Sequence, residues 1–311
     1  MKVLIADSLS PEALGRLQAA GISTDDRAGI DAAELLAVLP EYAGLIVRSR
    51  TKVTADVLAA APNLKVIGRA GVGVDNIDLA AAAAHGVAVV NTPVSTSVAV
   101  AELTMALMLA LVRSVPRADA SMKAGAWDKK SFEGAELAGK TLGILGMGNI
   151  GAQVARRAAA FDMNVLGFDP FLDDSTIQTR GALAAKLDEV YSRSDVLTLH
   201  LPLLPETRGM LNEATFEKMK RGVYLVCAAR GGVIDEDALL NALNRGQVAG
   251  VALDVFAQEP PGASPLVSHP SVIATPHMGA QTAEAQTRAA MDVADEVANA
   301  LLGKPLRWQV K

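Results

Sequence analysis

The chain has a single cysteine, Cys227, in 311 residues, so no internal disulfide can form and a reducing cytoplasm is the expected setting. Neither sign of charge dominates. Lys and Arg number 29 against 34 Asp and Glu, with no basic tail or block, which argues against binding nucleic acid or an anionic membrane by bulk electrostatics. Long hydrophobic runs are also missing: the longest, 103–112, has about ten residues where a membrane span needs roughly twenty. The first seven residues, ending at Asp7, read as a strand rather than a leader. No zinc-ligand spacing, nucleophile elbow or solenoid-length repeat is present.

Half of the residues are hydrophobic and a fifth charged, enough apolar material for a sizeable core, and the length suggests two domains. Short runs rich in Val, Ile and Leu alternate with alanine-rich segments of helical period, the pattern of parallel sheets covered by helices. The first series predicts strands at 3–6, 45–47, 65–68 and 87–90, with helices near 11–20, 31–39, 54–60 and 78–85. A second series predicts strands near 141–145, 163–168, 195–199, 223–227, 248–253 and 271–274. Long helical stretches at about 97–117 and 282–302 bracket that series and mark it as an insertion. Residues 1–95 and 284–311 are then expected to form one discontinuous domain, and 96–283 the other.

The strand predicted at 141–145 leads into Gly146-Met147-Gly148-Asn149-Ile150-Gly151 and then a helical segment. In that context the first glycine permits the turn out of the strand and the second lets backbone approach a pyrophosphate. The third allows helix and strand to pack closely, and the helix N-terminus presents N–H groups to phosphate. The following strand ends at Asp169, eighteen residues beyond Gly151. A carboxylate there accepts from both hydroxyls of an adenosine ribose and repels a 2′-phosphate, so the expected cofactor is NAD rather than NADP.

Three later strand ends carry groups suited to hydride transfer at a carbonyl. Arg230 follows 223–227 and can hold a carboxylate or polarise a carbonyl oxygen; a surface arginine is the plain alternative. Asp254 follows 248–253 and could receive a nicotinamide carboxamide, with Glu259 in the loop beyond it. His277 follows 271–274 and suits proton transfer near neutrality, if the fold brings Glu259 to it. His85 reads as a helix-end residue, His269 as solvent-facing, and His200 as bordering the cofactor; Cys227 reads as packing. In the first domain, Gly71, Val72 and Gly73 follow a strand and can form an anion-binding nest. Arg48, Arg50 and Lys52, with Arg69, are candidates for a second anionic group, solvated surface charge being the alternative for Arg50 and Lys52.

Taken together, these residues resemble the D-2-hydroxyacid dehydrogenase family, nearly end to end. The likeness is carried by Gly44-Leu45-Ile46-Val47-Arg48-Ser49, Gly68-Arg69-Ala70-Gly71-Val72-Gly73-Val74-Asp75-Asn76-Ile77-Asp78, Ala229-Arg230-Gly231-Gly232-Val233-Ile234-Asp235-Glu236, Leu253-Asp254-Val255-Phe256 and Pro276-His277-Met278-Gly279-Ala280, besides the glycine loop. The resemblance implies an α/β protein of two Rossmann-like doubly wound parallel-sheet domains, with the NAD domain inserted into a flavodoxin-like substrate domain. It implies Arg230, Glu259 and His277 as the catalytic set. Cofactor contacts would come from Val72, Gly146, Gly148, Asn149, Ile150, Gly151, Asp169, His200, Leu201, Ala228, Ala229, Arg230, Asp254, His277, Gly279 and Ala280. Substrate contacts would come from Arg48, Arg69, Gly71, Val72, Gly73, Arg230 and His277.

The substrate class implied is a small 2-hydroxy or 2-oxo acid, phosphorylated in the branch that oxidises 3-phosphoglycerate to 3-phosphohydroxypyruvate at the start of serine synthesis. Reduction of glyoxylate or hydroxypyruvate is the alternative within the family, and a dinucleotide-sensing corepressor the alternative outside it. Departures from the family pattern include Cys227 for an asparagine, and Val72 and Leu201 for threonines, which leaves backbone contacts to the cofactor in place of side-chain ones. A homodimer through the helical region 97–127, including Trp127, is implied as well. Feedback by serine through C-terminal regulatory domains is not expected.

Overall fold

The computed structural model describes residues 1–310. The chain divides into two compact units, Met1–Ser97 with Ala280–Lys311, and Val98–Gly279. In the first unit β1 (Lys2–Ile5), β2 (Ser23–Asp26), β3 (Gly44–Val47), β4 (Val66–Arg69) and β5 (Ala88–Val90) form a parallel sheet in the order β5-β4-β3-β1-β2. This is the flavodoxin-like order, and its switch point lies between β1 and β3. Buried on both faces, these two strands need no alternation: Val3, Leu4, Ile5, Leu45, Ile46 and Val47 are all solvent-free.

Helix Ala283–Leu301 covers one face of that sheet, placing Ala289, Val293, Ala294 and Val297 against Val3, Ile46 and Val66. The approach is close enough that Gly68 has no room for a side chain, since a Cβ there would lie 2.5 Å from Val297 Cγ2. Leu35, Leu58 and Ala82 pack the opposite face.

The second unit holds β6 (Thr141–Leu145), β7 (Asn164–Phe168), β8 (Leu183–Ala184), β9 (Val196–Leu199), β10 (Val223–Cys227), β11 (Val248–Leu253) and β12 (Val272–Ala274). All are parallel, in the order β12-β11-β10-β9-β6-β7-β8, a Rossmann order extended by one strand. Apolar clusters fill both faces, one around Leu197, Phe216, Leu225 and Leu239 and the other around Met108, Leu142, Ile144 and Val154. The strand order reverses between β7 and β9 on either side of β6, which puts the glycine loop after β6 at the switch point.

Three strands have no counterpart in the sequence expectations. β2 reads Ser-Thr-Asp-Asp, with no buried residue, and exists because β1 pairs with it as an edge. β8 has two residues, and a terminal strand, Gln309–Val310, adds antiparallel to β5. The helix expected over 97–117 is two helices, Ser97–Val112 and Val115–Lys123, bent by 63°. Ser114 takes a left-handed conformation at the break, and Pro116, which has no N–H, belongs in the first turn of the new helix rather than the interior of the old one. No single helix among the described residues is long and apolar enough to cross a membrane.

Candidate active site

At the end of β6, Gly146 turns the chain with φ +93°, and a Cβ there would sit 2.5 Å from His200 O. Gly151 abuts the Gly146 carbonyl so closely that any side chain would overlap it, whereas Gly148 faces open space. Helix Asn149–Ala159 starts with no side-chain cap, and its first backbone bond runs from Ala152 N–H to Gly148 O at 3.1 Å. The Ile150 and Gly151 N–H groups therefore point their partial positive charge at whatever lies over Gly148. Asp169, directly after β7, accepts from Met147 N–H at 2.9 Å and Phe171 N–H at 3.0 Å, one bond per oxygen. Each oxygen keeps a lone pair for a ribose hydroxyl. Open glycine, uncapped helix and strand-end carboxylate together fit a dinucleotide diphosphate and its adenosine ribose.

His200 follows β9. Its Nε2 lies 3.1 Å from Thr198 Oγ1, while Nδ1 is shut off from solvent with no partner among the described residues. Burial pushes the imidazole down to about 3, so the ring is neutral. A ring held neutral in this way is no acid-base catalyst. Leu201, Ala228 and Ala229 are buried beside these strand ends and leave backbone as their polar offering.

β10, β11 and β12 are neighbours in register, Cys227 opposite Leu253 and Leu253 opposite Ala274, so the segments that follow leave the sheet side by side. The Arg230 loop and the loop after Asp254 meet at backbone contact, because a Cβ on Gly231 would overlap Phe256 O. Arg230 is half-buried and its Nη1 donates to Ala229 O at 2.7 Å.

His277 Nδ1 lies 2.7 Å from Glu259 Oε2, and Glu259 Oε1 accepts from Phe256 N–H at 3.1 Å. The fold thus brings together the pair that spacing alone left open. A carboxylate on Nδ1 fixes the tautomer that leaves Nε2 as the acceptor of a proton. Half of the His277 side chain is exposed, which keeps Nε2 reachable.

His277 itself has φ +51°, unusual for a residue with a side chain. Asp254 holds it there. This carboxylate, 1% exposed, accepts from Thr275 Oγ1 at 2.6 Å, from Met278 N–H at 2.8 Å and from Gly279 N–H at 2.8 Å. The Asp254 oxygens organise the histidine turn, a contact no local spacing announces. Ala280 opens the returning segment of the first unit, its carbonyl taken by Gln286 Nε2 at 2.6 Å.

In the first unit the nest is narrower than its sequence suggests. Gly71 N–H donates to Arg69 O at 2.9 Å, leaving Val72 and Gly73 N–H without acceptors among the described residues. The carbonyls of Gly71 and Val72 are turned away, accepting from Thr92 N–H at 2.9 Å and Asn91 Nδ2 at 2.6 Å. Gly71 has φ +149°, and its bare Cα lets the Arg69 guanidinium pass. Arg48 is half-buried, with Nη2 3.3 Å from Gln281 Oε1.

Arg50, half exposed, is tied down by its own neighbours. Its guanidinium donates to Asp7 Oδ1 at 2.9 Å, Ala6 O at 2.7 Å and Ile30 O at 3.2 Å. Lys52 and His85 are exposed. His269, expected to face solvent, is half-buried, and its Nδ1 accepts from Ser271 N–H at 3.1 Å. Burial pushes the Cys227 thiol up to about 11, which removes it as a nucleophile.

Residues 105–279 match the family described as D-isomer specific 2-hydroxyacid dehydrogenase, NAD binding domain, so the chain belongs to the D-isomer specific 2-hydroxyacid dehydrogenase family. It is similar to D-3-phosphoglycerate dehydrogenase of Rattus norvegicus, 50% identical over 305 residues, which are 98% of this chain and 57% of that protein. The chain thus spans little more than half the length of that relative. Among solved structures it is similar to a glyoxylate reductase from Paecilomyes thermophila, with a TM-score of 0.91 and 31% identity over 100% of this chain and 98% of that one. It is also similar to a D-lactate dehydrogenase from Aquifex aeolicus complexed with NAD and lactic acid, with a TM-score of 0.84 and 31% identity over 97% and 96%.

Proposed function

We propose that the protein oxidises 3-phospho-D-glycerate to 3-phosphohydroxypyruvate with NAD, the first step of serine synthesis. The observation that carries this reading is the 2.7 Å contact of His277 with Glu259, which leaves Nε2 as an exposed base. His277 Nε2 takes the hydroxyl proton, and Glu259 stabilises the resulting imidazolium. NAD, when bound, supplies the acceptor for the hydride from the carbinol carbon. Arg230 pairs with the substrate carboxylate and draws charge from the developing carbonyl oxygen. Val72 and Gly73 N–H groups receive the carboxylate, and Arg48 and Arg69 take the phosphate. The acids named for the similar proteins, phosphoglycerate, glyoxylate and lactate, differ in what lies beyond the reacting carbon, and two arginines suit a doubly charged group there.

Reduction of an unphosphorylated 2-oxoacid is the second reading, favoured by the likeness to the glyoxylate reductase. Steady-state kinetics across phosphorylated and unphosphorylated acids separate the two. The expected result is a kcat/KM at least tenfold higher for 3-phosphoglycerate than for D-glycerate, about 1.4 kcal/mol or more of discrimination; the reverse preference rejects the phosphate assignment. His277→Ala should lower kcat about 10²–10⁴-fold with NAD affinity retained. Turnover at the wild-type rate in that variant removes the base from the scheme.

A homodimer through the NAD domain goes with this reading, supported by the exposed Trp127, Val115 and Met122 and the shallow groove that Ala106, Leu109, Ala110 and Ala118 line beside them. Sedimentation of the chain and a Met122→Asp variant tests it: the variant should sediment as half the mass. A cytoplasmic location is proposed with the reaction, its support being the one cysteine, reduced and buried.

A further inference from the structure

The turn that carries Arg48 is fixed from two sides by side chains from the segments that follow β1 and β4. On the N–H side Asp7 accepts from Arg48 N–H at 2.6 Å, Thr51 N–H at 3.2 Å and Thr51 Oγ1 at 2.8 Å. On the carbonyl side one nitrogen does all the work: Asn76 Nδ2 donates to Arg48 O at 2.8 Å and to Thr51 O at 2.6 Å. Both hydrogens of the amide are thereby engaged.

Asn76 does not belong to that turn. It sits three residues past Gly73, in the loop that presents the free Val72 and Gly73 N–H groups, and its own carbonyl accepts from Val53 N–H at 2.8 Å. Asp78 N–H then bonds Val53 O at 2.9 Å, closing a short parallel bridge between the loop after β3 and the loop after β4. The same loop is held from its far side by Asn91 and Thr92. With both backbone groups of Arg48 fixed, only its guanidinium is left to adjust.

We infer that Asn76 is a positioning residue for the substrate's distal anionic group: it sets the span between the Arg48 guanidinium and the Val72–Gly73 donors, and so the length of acid that both ends can hold at once. The inference rests on the proposed role of Arg48. A carboxylate and a phosphate at opposite ends of a three-carbon acid need two anion sites at one separation, and a turn free to drift would hold each end but not both. Selectivity for the phosphorylated acid then depends on a residue that touches neither end of it.

The test is a double-mutant cycle on the full chain, read with 3-phosphoglycerate and D-glycerate as substrates. Asn76→Ala should raise KM for 3-phosphoglycerate about tenfold, the loss of one to two hydrogen bonds' worth of placement, with kcat and NAD affinity within about twofold. The KM for D-glycerate should stay put. In an Arg48→Ala background the same substitution should add nothing, because Asn76 acts through Arg48. Additive losses, or equal losses for both acids, overturn the inference in favour of general loop stability. If Arg48→Ala leaves the preference for the phosphorylated acid intact, the role of Arg48 fails and the inference with it; if Arg48→Ala abolishes the preference and Asn76→Ala does not alter it, the inference alone fails. Should Asn76→Ala not fold, Asn76→Ser, which keeps one donor, should give a smaller shift in the same KM and is judged by the same cycle.

Discussion

Asp7 follows β1 in the first unit and Asp254 follows β11 in the second, and both are carboxylates nearly cut off from water, 4% and 1% exposed. Each gathers the donors of a turn that belongs to a different strand. Asp7 collects the turn carrying Arg48; Asp254 collects the turn carrying His277. Their partners differ in kind. Asp7 includes a cation, the Arg50 Nε at 2.9 Å, whereas Asp254 has three neutral donors. Their loads differ too, since the Asp254 turn contains the left-handed His277 and residues 48–51 contain no left-handed residue. A bond to a half-exposed guanidinium helps secure a relaxed turn, and neutral bonds to a buried carboxylate secure a left-handed one.

The largest effect should come from breaking the strained side. Asp254→Ala orphans a hydroxyl and two backbone N–H groups, a loss of about 3 kcal/mol in urea unfolding. Without those bonds His277 relaxes toward negative φ and its imidazole leaves Glu259, so kcat should fall about a hundredfold. A variant that loses stability but keeps kcat within threefold would show that the turn holds its own shape.

Asp7→Asn is the matching break on the relaxed side. The amide keeps one acceptor for Thr51 and Arg50 but turns an N–H₂ toward the backbone donors of Arg48 and Thr51, for a cost of about 2 kcal/mol. Here kcat should survive, and the KM for 3-phosphoglycerate should rise about threefold to tenfold. A fall in kcat as large as that of Asp254→Ala would erase the distinction between the two clamps.

Neither clamp was legible in the sequence, and the reason is distance along the chain. The glycine loop, Asp169, Arg230 and His277 stand at strand ends, and in a parallel sheet a strand end announces itself by where an apolar run stops. Asp7 also stops such a run, yet its partners lie 41 to 44 residues away, and Asn76 reaches back 25 to 28. Nothing local predicts which turn a strand-end carboxylate will collect. The same limit hid β2, whose Ser-Thr-Asp-Asp has poor strand propensity and depends on β1 for its pairing. The bend at Ser114 was more readable: Pro116 two residues on is a marked stop signal that the apolar run over 97–112 outweighed.

Acid should separate the two units in order. His200 lies in the second unit with its pKa pushed from 6.5 down to about 3, so the unfolded chain binds the extra proton first. Stability contributed by keeping the ring neutral is lost as pH falls below 6.5, at up to about 1.4 kcal/mol per pH unit. In the first unit, the Tyr42 hydroxyl and Lys2 beside Asp25 hold its carboxyl below 3.8, and that contribution persists until pH falls past 3.8. Amide exchange between pH 6 and pH 4 should therefore show the second unit opening while the first stays protected, and His200→Asn should flatten the slope. Parallel loss in both units would assign the acid limb elsewhere.

The smallest effect tests whether Arg50 belongs to the clamp alone. Arg50→Lys keeps the charge beside Asp7, but an ammonium cannot reach Asp7, Ala6 O and Ile30 O together as the guanidinium fork does. Because half of the Arg50 side chain faces solvent, water can satisfy the carbonyls it abandons, and the loss should be about 0.5–1 kcal/mol. The KM for 3-phosphoglycerate should not move, since none of the Arg50 side-chain bonds reaches the Arg48 guanidinium or the 71–73 donors. A KM that rises with this substitution would return Arg50 to the anion site and make the clamp on the first unit part of the binding surface itself, so that the ion pair at Asp7 would be competing with substrate instead of supporting it.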